Sequence, residues 1–143
     1  MSYFFGLFSL AGRLLLGGFF LKAAYDKITT EGSFQFVAGQ IDSLSLALPV
    51  ETAVLVYLVI ALEVIAPLLL MLGVWARLSA LALAGFTIAA SVLFHAWWAI
   101  DPAVDLNNFI TQQLFFYKNI GVAGGLLMVV GSGPGPLSLQ RQS

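Results

Sequence analysis

Apolar residues fill four runs, 3–24, 52–73, 78–98 and 109–130. Each has about the 20 residues that an α-helix needs to cross a bilayer. Between the first two lies "ITTEGSFQFVAGQIDSLSLALPV" (28–50), where Phe34, Val37, Ile41, Leu44 and Leu48 recur at helical spacing. Ser33 is placed to cap the start of that helix and Pro49 to mark its stop. The segment is too short to span, so it predicts an amphipathic helix over about 33–46 lying at the membrane surface. The connection "VWAR" (74–77) is tight, "AIDPAVDLNN" (99–108) is polar and acidic, and the tail over 131–143 is too rich in glycine and proline to stay helical. The pattern predicts an all-α fold: an integral membrane four-helix bundle with a surface helix between its first two spans, forming one domain over 1–143. The first run reads as an uncleaved span rather than a signal peptide, because its front end lacks positive charge and Arg13 interrupts it.

Composition sharpens this. Of the 143 residues, 60% are hydrophobic and 9% charged, and the mean hydropathy is +0.98. Soluble domains carry about 25% charged residues. A net charge of −1 gives no electrostatic basis for nucleic-acid binding. Cysteine is absent, so thiol chemistry, disulfides, iron–sulfur ligation and covalent haem attachment by this chain are excluded. A single histidine, His95, excludes bis-histidine haem ligation within one subunit. Four spans put both termini on one side. The opposite side gathers Asp26, Glu31, Asp42, Glu51, Asp101 and Asp105, whereas the terminal side holds Arg77 and Arg141 and no acid. That asymmetry predicts cytoplasmic termini, although Lys22 and Lys27 on the far side run against it. Trp97 and Trp98 fit an outer aromatic belt and Trp75 an inner one.

The charges inside the runs are the candidate chemistry. Arg13 lies about ten residues into the first span from the terminal side, and Glu63 about eleven into the second from the other. At 1.5 Å per residue both fall near the midplane. Charges at that depth face the bundle interior and pair, so the sequence predicts a buried Arg13–Glu63 ion pair. It either locks the helices together or serves as a proton site. Pro67 has no N–H for the carbonyl of residue 63, which places a second polar group beside the carboxylate.

Arg13, Gly17, Phe20, Ala24 and Lys27 share one face of the first span, while Lys22 is opposite, next to Asp26. On the third span Arg77, Ala84, Ile88, Ser91 and His95 form a line, and on the fourth Lys118 and Gly125 share a face with Asn119 beside it. Lys27, His95 and Lys118 are therefore expected to converge in a cationic pocket beneath the amphipathic segment, with Asn119 nearby. Tyr25, Phe116 and Tyr117 would supply its wall. Taken one by one, Lys27 and His95 are somewhat better explained as residues at the headgroup level, whereas Lys118 lies deeper than an anchor needs to be. Gly121–Gly125 and Gly17–Gly18 offer smooth surfaces for helix packing or for homo-oligomerisation.

On "RLLLGGFFLKAAYDKI", "ALEVIAPLLLMLGVWARLSAL", "FH" at 94–95, "KNIGVAGGLL" and "GPGPLSL", the chain resembles the DoxX family of small four-helix bacterial membrane proteins over nearly its whole length. Arg13, Lys27, Glu63, Arg77, His95, Lys118 and Asn119 match family motif positions; the charged Lys22 and Asp26 depart from the pattern. The resemblance implies a bacterial inner-membrane protein. Because related proteins include a subunit of a thiosulfate:quinone oxidoreductase, it also implies a link to membrane redox complexes. Three readings stay open at this level: a redox-complex subunit with quinone as its ligand and a protein partner carrying the electron centre; a non-catalytic anchor or assembly protein; and a small-solute carrier. No metal site is expected.

Overall fold

A computed structural model describes residues 3–45, 47 and 49–140. Its helices are α1 (Tyr3–Thr29), α2 (Ser33–Ser43), α3 (Thr52–Leu72), α4 (Ala76–Phe94) and α5 (Leu106–Ser132), with a 3-10 turn over Trp97–Ala99 before α5. Among the described residues there is no strand, and α1, α3, α4 with its 3-10 extension, and α5 are long and apolar enough to cross a membrane. Neighbours pack in the order α1–α3–α4–α5, α1 and α5 meet only sparsely, and α2 crosses the ends of α1 and α3. The expected four-helix bundle with a surface helix is therefore the observed architecture. Leu48 and Arg141, used above for the stripe and the charge asymmetry, lie outside the described residues.

Helix ends follow backbone chemistry rather than apolarity. α1 continues past the apolar run because Lys22 and Asp26 pair along the helix at 2.5 Å, and nothing breaks it before Gly32 (φ 79°). Gly32, not Ser33, precedes the first helical residue of α2, and its carbonyl accepts from Phe36 N–H at 2.9 Å; Ser33 makes no side-chain cap. α2 stops at Ser43, ahead of Pro49, through a left-handed Ser45 (φ 50°), and the Asp42 carboxylate accepts from Thr52 Oγ1 at the start of α3. α5 starts early because the Asp105 carboxylate caps it, accepting from Asn108 N–H at 3.0 Å.

The interior is made mostly of small and aliphatic residues, among them Leu70, Ala80, Leu83, Ala84 and Leu126, with the aromatic Phe20. Gly17 allows α1 to approach α3: a Cβ there would strike the Met71 side chain and sit 3.2 Å from the Pro67 carbonyl oxygen. Gly125 rests against Leu16 at ordinary contact distance, and Gly121 faces open space, so their spacing does not mark a tight helix crossing within the chain. The outside inverts the soluble pattern. Leu15, Leu78, Leu114 and Met128 are exposed, while Arg13, Glu63, Ser79, Thr87, Ser91 and Asn119 are buried. Apolar outside and polar inside is what a hydrocarbon solvent selects.

The tail, expected to be irregular over 131–143, is so from 133 to 140, with 131 and 132 still in α5 and 141–143 outside the described residues, and it is not loose. It folds back across the terminal end: Ser9 Oγ donates to Pro134 O at 2.8 Å, Leu139 N–H to Leu72 O at 3.0 Å, and Trp75 N–H to Gln140 Oε1 at 2.7 Å.

Candidate ligand-binding site

The face of α1 predicted from spacing is the buried one: Arg13, Gly17, Phe20 and Ala24 are all buried, and Lys27 is half-buried. The predicted pairing on it is not observed. Arg13 does not meet Glu63. Its Nη1 donates to Met71 O at 2.8 Å and Leu70 O at 3.3 Å, and its Nη2 donates to Leu137 O. Both α3 carbonyls lie in its last turn, where the helix dipole favours a cation, and Leu70 O also accepts from Gly73 N–H at 3.1 Å. Arg13 thus joins α1, the end of α3 and the tail, and is a structural clamp.

Glu63 is bound instead by Lys27, whose Nζ donates to both carboxylate oxygens at 3.0 and 2.8 Å. The side chains are 16% (Lys27) and 5% (Glu63) exposed. The register explains the exchange of partners. Gly17 lies against Pro67 and Met71. Glu63 precedes these by four and eight positions, so in antiparallel helices it is level with residues 21–25. Lys27 is one turn further along α1, and its chain runs back toward its own helix N-terminus, where Nζ also lies 3.5 Å from Ala23 O. Assigning depth from the ends of apolar runs had set Arg13 level with Glu63, whereas Arg13 is level with the end of α3.

The Lys27–Glu63 pair forms part of the wall of a partly open cavity of about 410 Å³ between α1, α2, α3 and α4, with Asn119 reaching it from α5. Ligand cavities run from roughly 300 to 1,000 Å³. Its apolar wall is formed by residues including Phe19, Phe20, Phe86 and Phe94, and its roof by Val37 and Ile41 of α2 and Leu44 just after it, most of the predicted stripe. Phe34, also in the stripe, stacks on Tyr57 with ring centroids 5.1 Å apart.

Five polar side chains besides Glu63 line the cavity: Lys27, Gln40, Thr87, His95 and Asn119. Thr87 Oγ1 is committed to Leu83 O at 2.7 Å, and Ser91 Oγ behind it to Thr87 O at 2.7 Å. His95 Nδ1–H donates to Gln112 Oε1 of α5 at 2.7 Å, which leaves Nε2 free to accept. Asn119 is 7% exposed, and its amide has no hydrogen bond among the described residues. Sequence reasoning missed Thr87 and Gln112. Thr87 carries a signal, the four-residue spacing Leu83–Thr87–Ser91; Gln112 carries none, because its role is set by where α4 ends.

The expected cationic pocket is corrected in two respects. Lys27 enters it with its charge matched by Glu63. Lys118 does not enter it: the residue is exposed, and its Nζ sits 5.2 Å from the Phe19 ring centre and 4.9 Å from that of Phe115. Attraction to the ring faces compensates this cation. Phe19, which also lines the cavity, is the shared element. Tyr117 points away as well, 57% exposed, with its ring 5.5 Å from Phe116 and 6.3 Å from Trp97. Tyr25 is likewise exposed. On α5 the inward line is Asn119, Ala123 and Leu126, one position on from Lys118.

Four apolar spanning helices, lipid-exposed hydrocarbon faces and a polar interior define a multi-pass membrane protein in contact with the bilayer. The sequence model of the DoxX family matches residues 8–96, and the chain belongs to that family. It is 31% identical over 132 residues to inner membrane protein YqjF of Escherichia coli, covering 92% of this chain and 88% of that protein. It is 30% identical over 112 residues to inner membrane protein YphA of the same organism, covering 78% and 72%. A Surfeit locus protein 4 homolog of Drosophila melanogaster is 36% identical over 73 residues, which is 51% of this chain and 26% of that protein. No solved structure shows a significant match.

Proposed function

We propose that this chain is an inner-membrane subunit of a redox-linked complex, with cytoplasmic termini, and that it holds a quinone in the cavity under α2. The observation that carries the reading is an apolar cavity of about 410 Å³ broken by hydrogen-bonding side chains from several helices. Aromatic and aliphatic walls suit a lipid-soluble ring. The Asn119 amide offers N–H groups to a ring carbonyl, and His95 Nε2 offers an acceptor to a quinol hydroxyl. Lys118 and Tyr117 lie outside this site and have no part in it. The electron centre belongs to a partner protein, with which this chain would share the membrane. The related inner membrane proteins support the location.

The test is extraction of quinone from protein purified in mild detergent, followed by titration with short-chain quinone in nanodiscs. Retained quinone and saturable binding are expected. Protein that carries only phospholipid and does not bind added quinone would leave the second reading, a non-catalytic anchor.

A further inference from the structure

Among the described residues, Asn119 is the most buried polar side chain of the cavity wall that is left without a partner. It is 7% exposed, lines the cavity, and its amide is without a partner among the described residues. Of the other polar lining groups, Lys27 is bound to Glu63, Thr87 to Leu83 and His95 to Gln112, while Gln40 is free but only half-buried on α2. Among the described residues the fully buried side-chain nitrogens without a partner are Arg13 Nε and Trp97 Nε1, so the Asn119 amide, also unpaired, is open to the cavity rather than sealed in the core. Asparagine is also a weak helix former, here within the long helix α5. A leucine would fill a similar volume with neither penalty. The amide is explained if something in the cavity pairs with it.

We infer that Asn119 determines which ligands the cavity accepts, by pairing with a ring oxygen in both of its redox forms. This rests on the quinone reading. A primary amide donates from Nδ2 and accepts at Oδ1. It therefore serves a quinone carbonyl, which only accepts, and, turned over, a quinol hydroxyl, which donates. A free carboxylate only accepts and serves the quinol alone; a lysine only donates, so it can bond either oxygen but cannot accept from the quinol hydroxyl. Of the other cavity groups, His95 Nε2 accepts, Lys27 has its N–H groups turned to Glu63 and Ala23 O, and the Gln40 amide, of the same chemistry, is only half-buried on α2, so Asn119 is the buried contact able to serve both states.

The experiment measures equilibrium binding of three probes to the full chain in nanodiscs: a short-chain quinone, its quinol under anaerobic conditions, and an analogue with the same ring and tail but no ring oxygens. An unmade hydrogen bond to a buried amide corresponds to about 1–3 kcal/mol, or roughly 5- to 150-fold in affinity. Asn119→Leu is expected to weaken quinone and quinol by that factor and to leave the analogue unchanged or tighter. Wild-type protein that binds no quinone overturns the functional reading itself. Wild-type binding retained in full by Asn119→Leu overturns this inference and leaves that reading standing. Loss confined to one redox form overturns the dual role. If leucine abolishes analogue binding too, Asn119→Ala, which removes the amide without adding bulk, decides: equal loss for quinone and analogue overturns the inference, and loss for the oxygenated probes alone supports it.

Discussion

Removing Lys27 while Glu63 stays is the most demanding test of the site's electrostatics. The ammonium donates to both carboxylate oxygens at 3.0 and 2.8 Å, and the side chains are 16% and 5% exposed. Breaking such a pair from one side strands a buried charge and costs about 3–5 kcal/mol. The same chain supplies its own control: Lys22–Asp26 is a pair of similar length with side chains 67% and 44% exposed. Exposed pairs contribute about 0.2–1 kcal/mol. Lys27→Met should therefore destabilise the bundle several times more than Lys22→Met, read as the shift in reversible unfolding by a strong detergent titrated into mixed micelles. Lys27→Met with Glu63→Met should recover most of the loss, since a buried pair replaced by apolar residues is often neutral. Arg13→Met with Glu63→Met should instead be additive within about 0.5 kcal/mol, because the two share no partner. Equal effects of Lys27→Met and Lys22→Met, or recovery in the Arg13 and Glu63 double variant, would refute this assignment of partners.

Other consequences follow from the same geometry. Arg13→Met removes charge-assisted hydrogen bonds of about 1.5–3 kcal/mol each, so a cysteine placed at Ser138, the only thiol in a chain without cysteine, should react with maleimide at least about ten times faster; an unchanged rate contradicts the clamp. Gly17→Val should destabilise by about 1–3 kcal/mol through overpacking on Met71 and Pro67, while Gly121→Ala, facing open space, should be neutral or stabilising by up to about 1 kcal/mol, both read in the same unfolding titration. With cytoplasmic termini, Val104→Cys in the exposed α4–α5 connection should be labelled by an impermeant thiol reagent from outside intact cells, and Leu139→Cys only after lysis; the reverse pattern inverts the orientation.

Hydrophobic patterning made the four spans, the surface helix and the inward face of α1 legible, because lipid imposes a strong length and polarity constraint. The partners of Arg13 and Glu63 were not legible. Apolar-run boundaries differ from helix boundaries by several residues, as at the end of α1 (Thr29) and the start of α5 (Leu106), and a lysine side chain spans a further turn. Lys118 and Asn119 are adjacent, and which of them faces inward depends on the rotation of α5 by one position, finer than a glycine pattern resolves. The clamp of Arg13 on the tail and the hold of Gln112 on His95 arise only from tertiary closure.

Photoaffinity labelling with an azido-quinone in native membranes, mapped by mass spectrometry, addresses the central claim most directly. The account predicts saturable labelling, competed by unmodified quinone, on the inner face of α2 at residues 37–44 and on α4 at residues 86–95. Labelling confined to lipid-exposed positions such as Leu15 and Met128, and insensitive to competitor, would contradict it.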